Sequence, residues 1–336
     1  MKILVLRDKK TAVTNYRLTR PLTPLGAKFR KTLLRKNDSL PLIDLAKRLK
    51  TQGDVWVFKY IDDYHTLDVI YTMRNAVGAK VVVDVDDNLW AMTPDNAAYQ
   101  NPKTHANRCM MVLESIKCAN WVTVSTKPLQ DVLKSTNENI SVLPNLINPS
   151  EWNWKRPKHD KIRIGWVYSP THFPDIEEVK PAIKKLWKKY KDKIEITVFG
   201  TTFDIFDDVP ITKINGVPYF KYPKLLTEAG IDISLAPLKD NEFKKAKRNI
   251  KWLESTLSGA SFVCSDREPY KEVKNGKTGF KVKKDWFTPI ARLIEDEKLR
   301  ETMQQNALKE VLKYNIKLNQ SYGQFYEFIS GHNPKR

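Results

Sequence analysis

At 336 residues the chain suits two domains of roughly 150 each, and with 41% hydrophobic residues each can bury a core. Lys and Arg number 58 against 39 Asp and Glu, a net +19 that favours nucleic acid, anionic lipid headgroups or other polyanions as partners. No apolar run approaches the ~18 residues of a transmembrane helix. Met1 leads directly into the β-like KILVLR, so no signal peptide is expected, and Cys109, Cys118 and Cys264 have neither metal-ligand spacing nor a disulfide framework. A soluble cytoplasmic protein with no obligate protein partner is expected.

Lys2 to Arg7 reads as a first β-strand. The loop Asp8 to Tyr16 lacks paired glycines, which excludes a dinucleotide fingerprint. Arg17 to Lys36, broken by Pro21, Pro24 and Gly26, reads as a basic loop running into a short helix. Arg17 to Lys50 holds ten basic residues against Asp38 and Asp44, so Arg17 and Arg20 are candidates for polyanion binding, beside the alternative of a solvated surface loop. A helix over Leu42 to Leu49 and a strand over Val55 to Phe58 follow, and then Asp62 and Asp63 as helix caps. The third predicted strand, Lys80 to Val85, delivers Asp84-Val85-Asp86-Asp87-Asn88 to its C-terminal end, which faces the ligand crevice in an open α/β sheet. These acids have several readings: a D-x-D metal site, a phosphatase-type nucleophile, Asp86 or Asp87 acting on an attacking hydroxyl, or turn capping. Trp90 opens the aromatic, turn-rich loop to Gln100, which would stack on a base or sugar or pack as a lid.

A helix over His105 to Cys118, a strand over Trp121 to Ser125 and the strand end Ser141 to Asn145 complete the first half, and Asn148 to His159 is the predicted linker. Arg163 to Tyr168 begins the second half, followed by Ser169, Thr171 and His172 in a loop where they would meet a ligand or cap a turn. Strands over Glu195 to Phe199, Pro210 to Ile214 and Ile231 to Leu238 follow. A helix from Lys245 to Leu257 then carries Lys247, Arg248, Asn249 and Lys251 at its start and Glu254 further along. Free N–H groups and cations suit a diphosphate there, and Glu254 suits a ribose diol. The strand Ala260 to Cys264 and the loop Asn275 to Gly279 come next. Helices over Trp286 to Ile294 and Glu297 to Lys313 and an amphipathic tail, Asn319 to Ser330, end the chain.

The ordered series Asn249-Ile250-Lys251-Trp252-Leu253-Glu254, Ser258-Gly259-Ala260, Ser265-Asp266, Glu268-Pro269-Tyr270 and Asn275-Gly276-x-Thr278-Gly279-Phe280 resembles the donor half of GT-B glycosyltransferases, above all glycosyltransferase family 4 and its phage-encoded relatives. One departure is Ala246, where that family often has a first Glu eight residues before the second. The resemblance implies two Rossmann-like α/β domains facing each other across a cleft. The acceptor domain would span 1–150, the donor domain 155–315, and residues 316–336 would pack back on the first. It implies transfer of a sugar, with retention, from a UDP-linked donor to a hydroxyl, with no metal or other cofactor required. Under it Asp86, Asp87 and His172 are catalytic, Ser169, Thr171, Lys247, Arg248, Asn249, Lys251 and Glu254 bind the donor, and Arg17, Arg20 and Trp90 bind the acceptor. Joined to the charge, it points to 5-hydroxymethylcytosine or another hydroxymethylpyrimidine in double-stranded DNA, with a glycan or glycolipid at an anionic membrane surface as the alternative. A non-catalytic nucleic-acid-binding protein of the same fold is a further alternative.

Overall fold

The structure is a computed structural model that describes residues 2–6, 11–30, 40–59, 61, 63–200, 206 and 208–329. It divides into two units. The first takes in the residues up to Met92, Tyr99–Leu146 and the last helix from Lys317 onward; the second takes in Thr93–Ala98 and Ile147–Ile316.

The first unit is built on six parallel strands: β1 (Ile3–Leu6), β2 (Lys28–Arg30), β3 (Val55–Lys59), β4 (Lys80–Val85), β5 (Trp121–Val124) and β6 (Ile140–Val142). Their order is β2-β1-β3-β4-β5-β6. The runs VWVFK and KVVVDV are apolar almost throughout, as strands covered on both faces must be. Helices Leu42–Gln52, Tyr64–Asn75 and Pro102–Cys118 make the crossovers. Asp63 caps the second of these by accepting from the Thr66 amide at 2.8 Å, and Asn101 caps the third at 3.0 Å. Asp62 lies outside the described residues.

The predicted loop between β1 and residue 36 is corrected. Residues 12–25 form a helical run that includes a π turn over Asn15–Thr19, with Thr11 as its cap and Gly26, at φ 70°, as its stop. β2 then follows in three residues, too short to show a period, so the predicted third strand is β4. Residues 31–39 of the expected basic segment, and residues 7–10 before it, lie outside the described residues.

The second unit has β7 (Ile162–Tyr168), β8 (Ile194–Gly200), β9 (Ile211–Ile214), β10 (Ile233–Ala236), β11 (Ser261–Ser265) and β12 (Phe280–Val282), all parallel in the order β12-β11-β10-β7-β8-β9. The chain winds outward from β7 through β8 to β9, then crosses back to β10 on the other side of β7. That reversal opens a crevice beyond the C-terminal ends of β7 and β10, the usual ligand position in such sheets. Ile164, Ile183, Leu186, Ile196, Leu235 and Ile290 are among the residues that build its core.

Two helix predictions are also corrected. The expected helix Lys245–Leu257 is two pieces, Glu242–Lys245 and Ile250–Leu257. The predicted helix Glu297–Lys313 and the tail are one helix, Glu297–Ile329, whose Tyr322 and Phe325 enter the core of the first unit, while the helix expected over Trp286–Ile294 stands separately as Phe287–Glu295. Among the described residues no helix is long and apolar enough to cross a membrane.

Candidate functional site

In the second unit the candidate side chains gather at the reversal between β7 and β10. Beyond β7, residues Pro170–Glu178 coil into 3-10 turns. Ser169 and Thr171 share a hydrogen bond between their hydroxyls at 2.9 Å, and the His172 amide donates to the Ser169 carbonyl, also at 2.9 Å. Asp175, buried at 1% exposure, ties three segments together. Its Oδ2 accepts from His172 Nδ1 at 2.8 Å and from Lys244 Nζ at 2.7 Å, while Oδ1 accepts from the Lys239 amide, beyond β10, at 3.0 Å. Burial opposes the Asp175 charge, but the His172 hydrogen bond and Lys244 outweigh it and hold the carboxyl down to about 2.

Sequence reasoning places Asp175 at the end of the loop motif that begins at Ser169 but gives it no role, and it missed Lys244. Lys244 looks like one lysine in a run, yet it is buried and also donates to the Thr171 carbonyl at 3.3 Å. A signal was present in Asn241, three residues before it, whose side chain accepts from the Lys244 amide and so starts the short helix there.

Ala246 to Asn249 form a break, and Ile250–Leu257 starts anew beyond it. Lys251 sits in the first turn of that helix, where free N–H groups and the helix dipole attract anions. Burial pushes its ammonium down to about 8, helped by nearby Lys244 and Lys247 and opposed by Asp175 and Glu254. Asn249, at 1% exposure, leads into the helix, and neither polar atom of its buried amide has a hydrogen-bond partner among the described residues. A buried amide in that condition is costly unless a ligand or water completes it.

Glu254 is buried and accepts from the Tyr222 hydroxyl at 2.9 Å. Lys247 lies over the Phe243 ring at 4.4 Å and Arg248 over the Tyr314 ring at 5.6 Å, so the two carry their charge on aromatic faces. Their place is before the helix rather than in it.

The remaining motif residues support the helix from behind. Trp252 donates to the Thr278 carbonyl at 3.4 Å, and the Thr278 hydroxyl accepts from the Lys274 amide. Gly259 stands at φ 90°, where an added Cβ would lie 2.5 Å from the Trp154 carbonyl oxygen, so only glycine fits.

In the first unit the expectation for Arg17 is corrected. It is not on an exposed acceptor loop: its guanidinium is buried and doubly bonded to Asp84, which also accepts from Thr123 at 2.6 Å. It donates to the Leu143 carbonyl at 2.5 Å as well, so it joins β4 to the end of β6 and cannot reach a polymer. The same pairing removes Asp84 from any D-x-D metal site. Arg20, half-buried, lies over the Tyr16 ring at 5.8 Å. Asp86 and Asp87 follow β4; Lys59 from β3 approaches Asp86 at 3.6 Å. Trp90 is half-buried in the short turn Leu89–Ala91. Among the described residues no group of three or more His, Cys, Asp or Glu is placed to hold a metal ion.

No family profile matches the chain, and neither does any curated protein sequence. Its fold is nonetheless shared with solved structures. Sucrose-phosphate synthase from Thermosynechococcus elongatus is 12% identical with a TM-score of 0.64, covering 98% of this chain and 99% of that one. HepE from Anabaena, solved in complex with UDP-glucose, is 14% identical with a TM-score of 0.65, covering 98% and 100%. A glycosyltransferase from Rickettsia africae gives 12%, 0.62, and 98% of each chain. At such identities the likeness is one of fold, and with two six-stranded parallel sheets and their helices matched along nearly the full length, this chain has the GT-B fold.

Proposed function

We propose that the chain is a glycosyltransferase that moves a sugar from a UDP-linked donor to a hydroxyl acceptor. The observation that carries this reading is the start of the helix Ile250–Leu257. There Lys251, a buried amide with no partner among the described residues and the first-turn N–H groups converge beside Lys244 at the sheet reversal. That group suits a diphosphate, and its fixed charges would stabilise the diphosphate as it leaves, the role a metal ion plays in other sites. HepE, of the same fold, was solved with UDP-glucose, which supports the donor class. Glu254, steadied by Tyr222, would hold the ribose diol. Asp86 beside Lys59, with Asp87, would orient and deprotonate the attacking hydroxyl. Retention at the anomeric carbon belongs to this reading.

For the acceptor we place hydroxymethylpyrimidines of duplex DNA first, on the net charge of +19. The helix Lys180–Tyr190, with lysine at positions 180, 184, 185, 188 and 189, suits an anionic membrane surface and favours a glycolipid or surface glycan as the second reading. The test is to incubate the protein with 5-hydroxymethylcytosine DNA, or with anionic vesicles carrying glycolipid, and a panel of UDP-sugars. Digestion and mass spectrometry follow. A hexose or pentose increment on the nucleoside supports DNA, and one on the lipid moves the acceptor to the membrane. If no UDP-sugar is bound or turned over, the catalytic reading fails and a non-catalytic binding protein of this fold replaces it.

A further inference from the structure

His172 faces a constraint that decides which part of a ligand it can touch. The carboxylate of Asp175 has no hydrogen to give, so each of its partners must donate. Nδ1 of His172, 2.8 Å from Oδ2, therefore carries its hydrogen. The same oxygen is held by Lys244 at 2.7 Å and the other by the Lys239 amide at 3.0 Å, so the carboxylate cannot turn to release the ring. Burial and the charges of Lys251 and Lys244 then keep a second proton off the imidazole, down to about 3, against the opposing pull of Asp175. A neutral ring with hydrogen on Nδ1 presents a lone pair at Nε2. Nε2 takes no hydrogen bond from the described residues, and a lone pair there repels phosphate oxygens while it accepts from O–H groups.

We infer that His172, locked by Asp175 and Lys244, is a hydroxyl reader: its Nε2 accepts a hydrogen bond from a hydroxyl of the transferred sugar and leaves the diphosphate to Lys251 and the helix start. Asp175 is the positioning residue, acting through the ring it orients. Lys244 neutralises that carboxylate and fixes its direction. The assignment rests on the glycosyltransferase reading above and makes His172 a specificity determinant within it rather than a phosphate contact.

Two measurements on the full chain test it. The first records long-range proton–nitrogen spectra of histidine-labelled protein, with His172→Gln identifying its signals among the five histidines. A neutral ring with hydrogen on Nδ1 from pH 5.5 to 8 is expected. Hydrogen on Nε2, or a titration near 6.5, overturns the inference whatever the protein's activity. Asp175→Asn should move hydrogen to Nε2, a response that a purely structural carboxylate would not produce. The second compares UDP with the best-bound member of a UDP-hexose panel by calorimetry. His172→Ala should weaken the UDP-hexose about tenfold, the worth of one hydrogen bond, and leave UDP within about twofold. Equal loss for both ligands places His172 on the diphosphate and overturns the inference. Wild-type protein that binds neither ligand sinks the donor reading and the hydroxyl assignment together, whereas a wrong tautomer sinks the assignment alone.

Discussion

Both units bury charged groups, and they use them differently. In the first, one guanidinium meets one carboxylate: Arg17 and Asp84 satisfy each other, with Thr123 and the Leu143 carbonyl taking up hydrogen bonds around them. In the second, Lys251 and its neighbours Lys244 and Lys247 face two carboxylates, Asp175 and Glu254, so three positive charges meet two negative ones. Burial pushes Lys251 down to about 8, with Asp175 and Glu254 opposing and Lys244 and Lys247 assisting, and two residues before it stands an amide, Asn249, with no partner among the described residues. Burial of charge alone therefore does not mark a site. A balanced, fully bonded pair fixes a sheet, whereas an unbalanced cluster at a helix start is the arrangement the proposed anion would complete.

The largest effect expected from this contrast lies in the first unit. Arg17→Met leaves Asp84 buried without its cation and should cost about 3–5 kcal/mol of stability in denaturant unfolding. The double variant Arg17→Met with Asp84→Leu should recover most of that loss, because an apolar pair of similar volume removes the stranded charge. UDP affinity of the folded variants should stay within about twofold of wild type. Weakened UDP binding without weakened stability would break the contrast and return Arg17 to a ligand-binding role.

Lys251→Met should do the reverse. Removal of a charged donor from the proposed diphosphate site should weaken UDP by roughly ten- to a hundredfold, or about 1.5–3 kcal/mol. Folding stability should hold or rise, since the deleted ammonium was buried without full compensation. Calorimetry and denaturation on the same sample read both quantities. A variant that lost stability and kept its UDP affinity would make Lys251 part of the scaffold.

How much of this was legible in the sequence follows from the range of the interactions involved. β4 was predicted with its observed ends, because KVVVDV is apolar nearly throughout and stands between turn signals. The break at Ala246–Asn249 was not, because its apolar spacing runs on in helical register and the new start depends on packing around Asn249. Arg17 was misread because its partner is 67 residues away, and a buried ion pair looks in sequence like two unrelated charges, one of them inside a basic run. A similar separation hid Lys244, whose carboxylate partner is 69 residues earlier. The candidate residues nearest one another in sequence, from Asn249 to Glu254, could be proposed beforehand, since a helix start brings its own geometry with it.

The smallest and most diagnostic effect expected is in pH. Lys251 falls from 10.5 in the unfolded chain to about 8 in the folded one, with burial the main cause. Between those values the unfolded chain holds the proton that the folded chain has released, so this group's contribution to stability rises with pH across that window and is a constant penalty below it. Diphosphate binding as proposed should have the opposite dependence, because it would need the ammonium. UDP affinity should be level from pH 7 to 8 and then decline towards tenfold per unit above 8, as each binding event must first restore the proton. His172 adds nothing to this profile, since its ring is already neutral throughout the range. Lys251→Arg should abolish the decline, because a guanidinium keeps its charge at every pH tested. Calorimetric titrations with UDP at pH 7, 8, 9 and 10 would show it. A wild-type affinity that stayed level to pH 10 would mean that the ammonium is not the group that meets the phosphates, and the charge imbalance in the second unit would then need another anion to explain it.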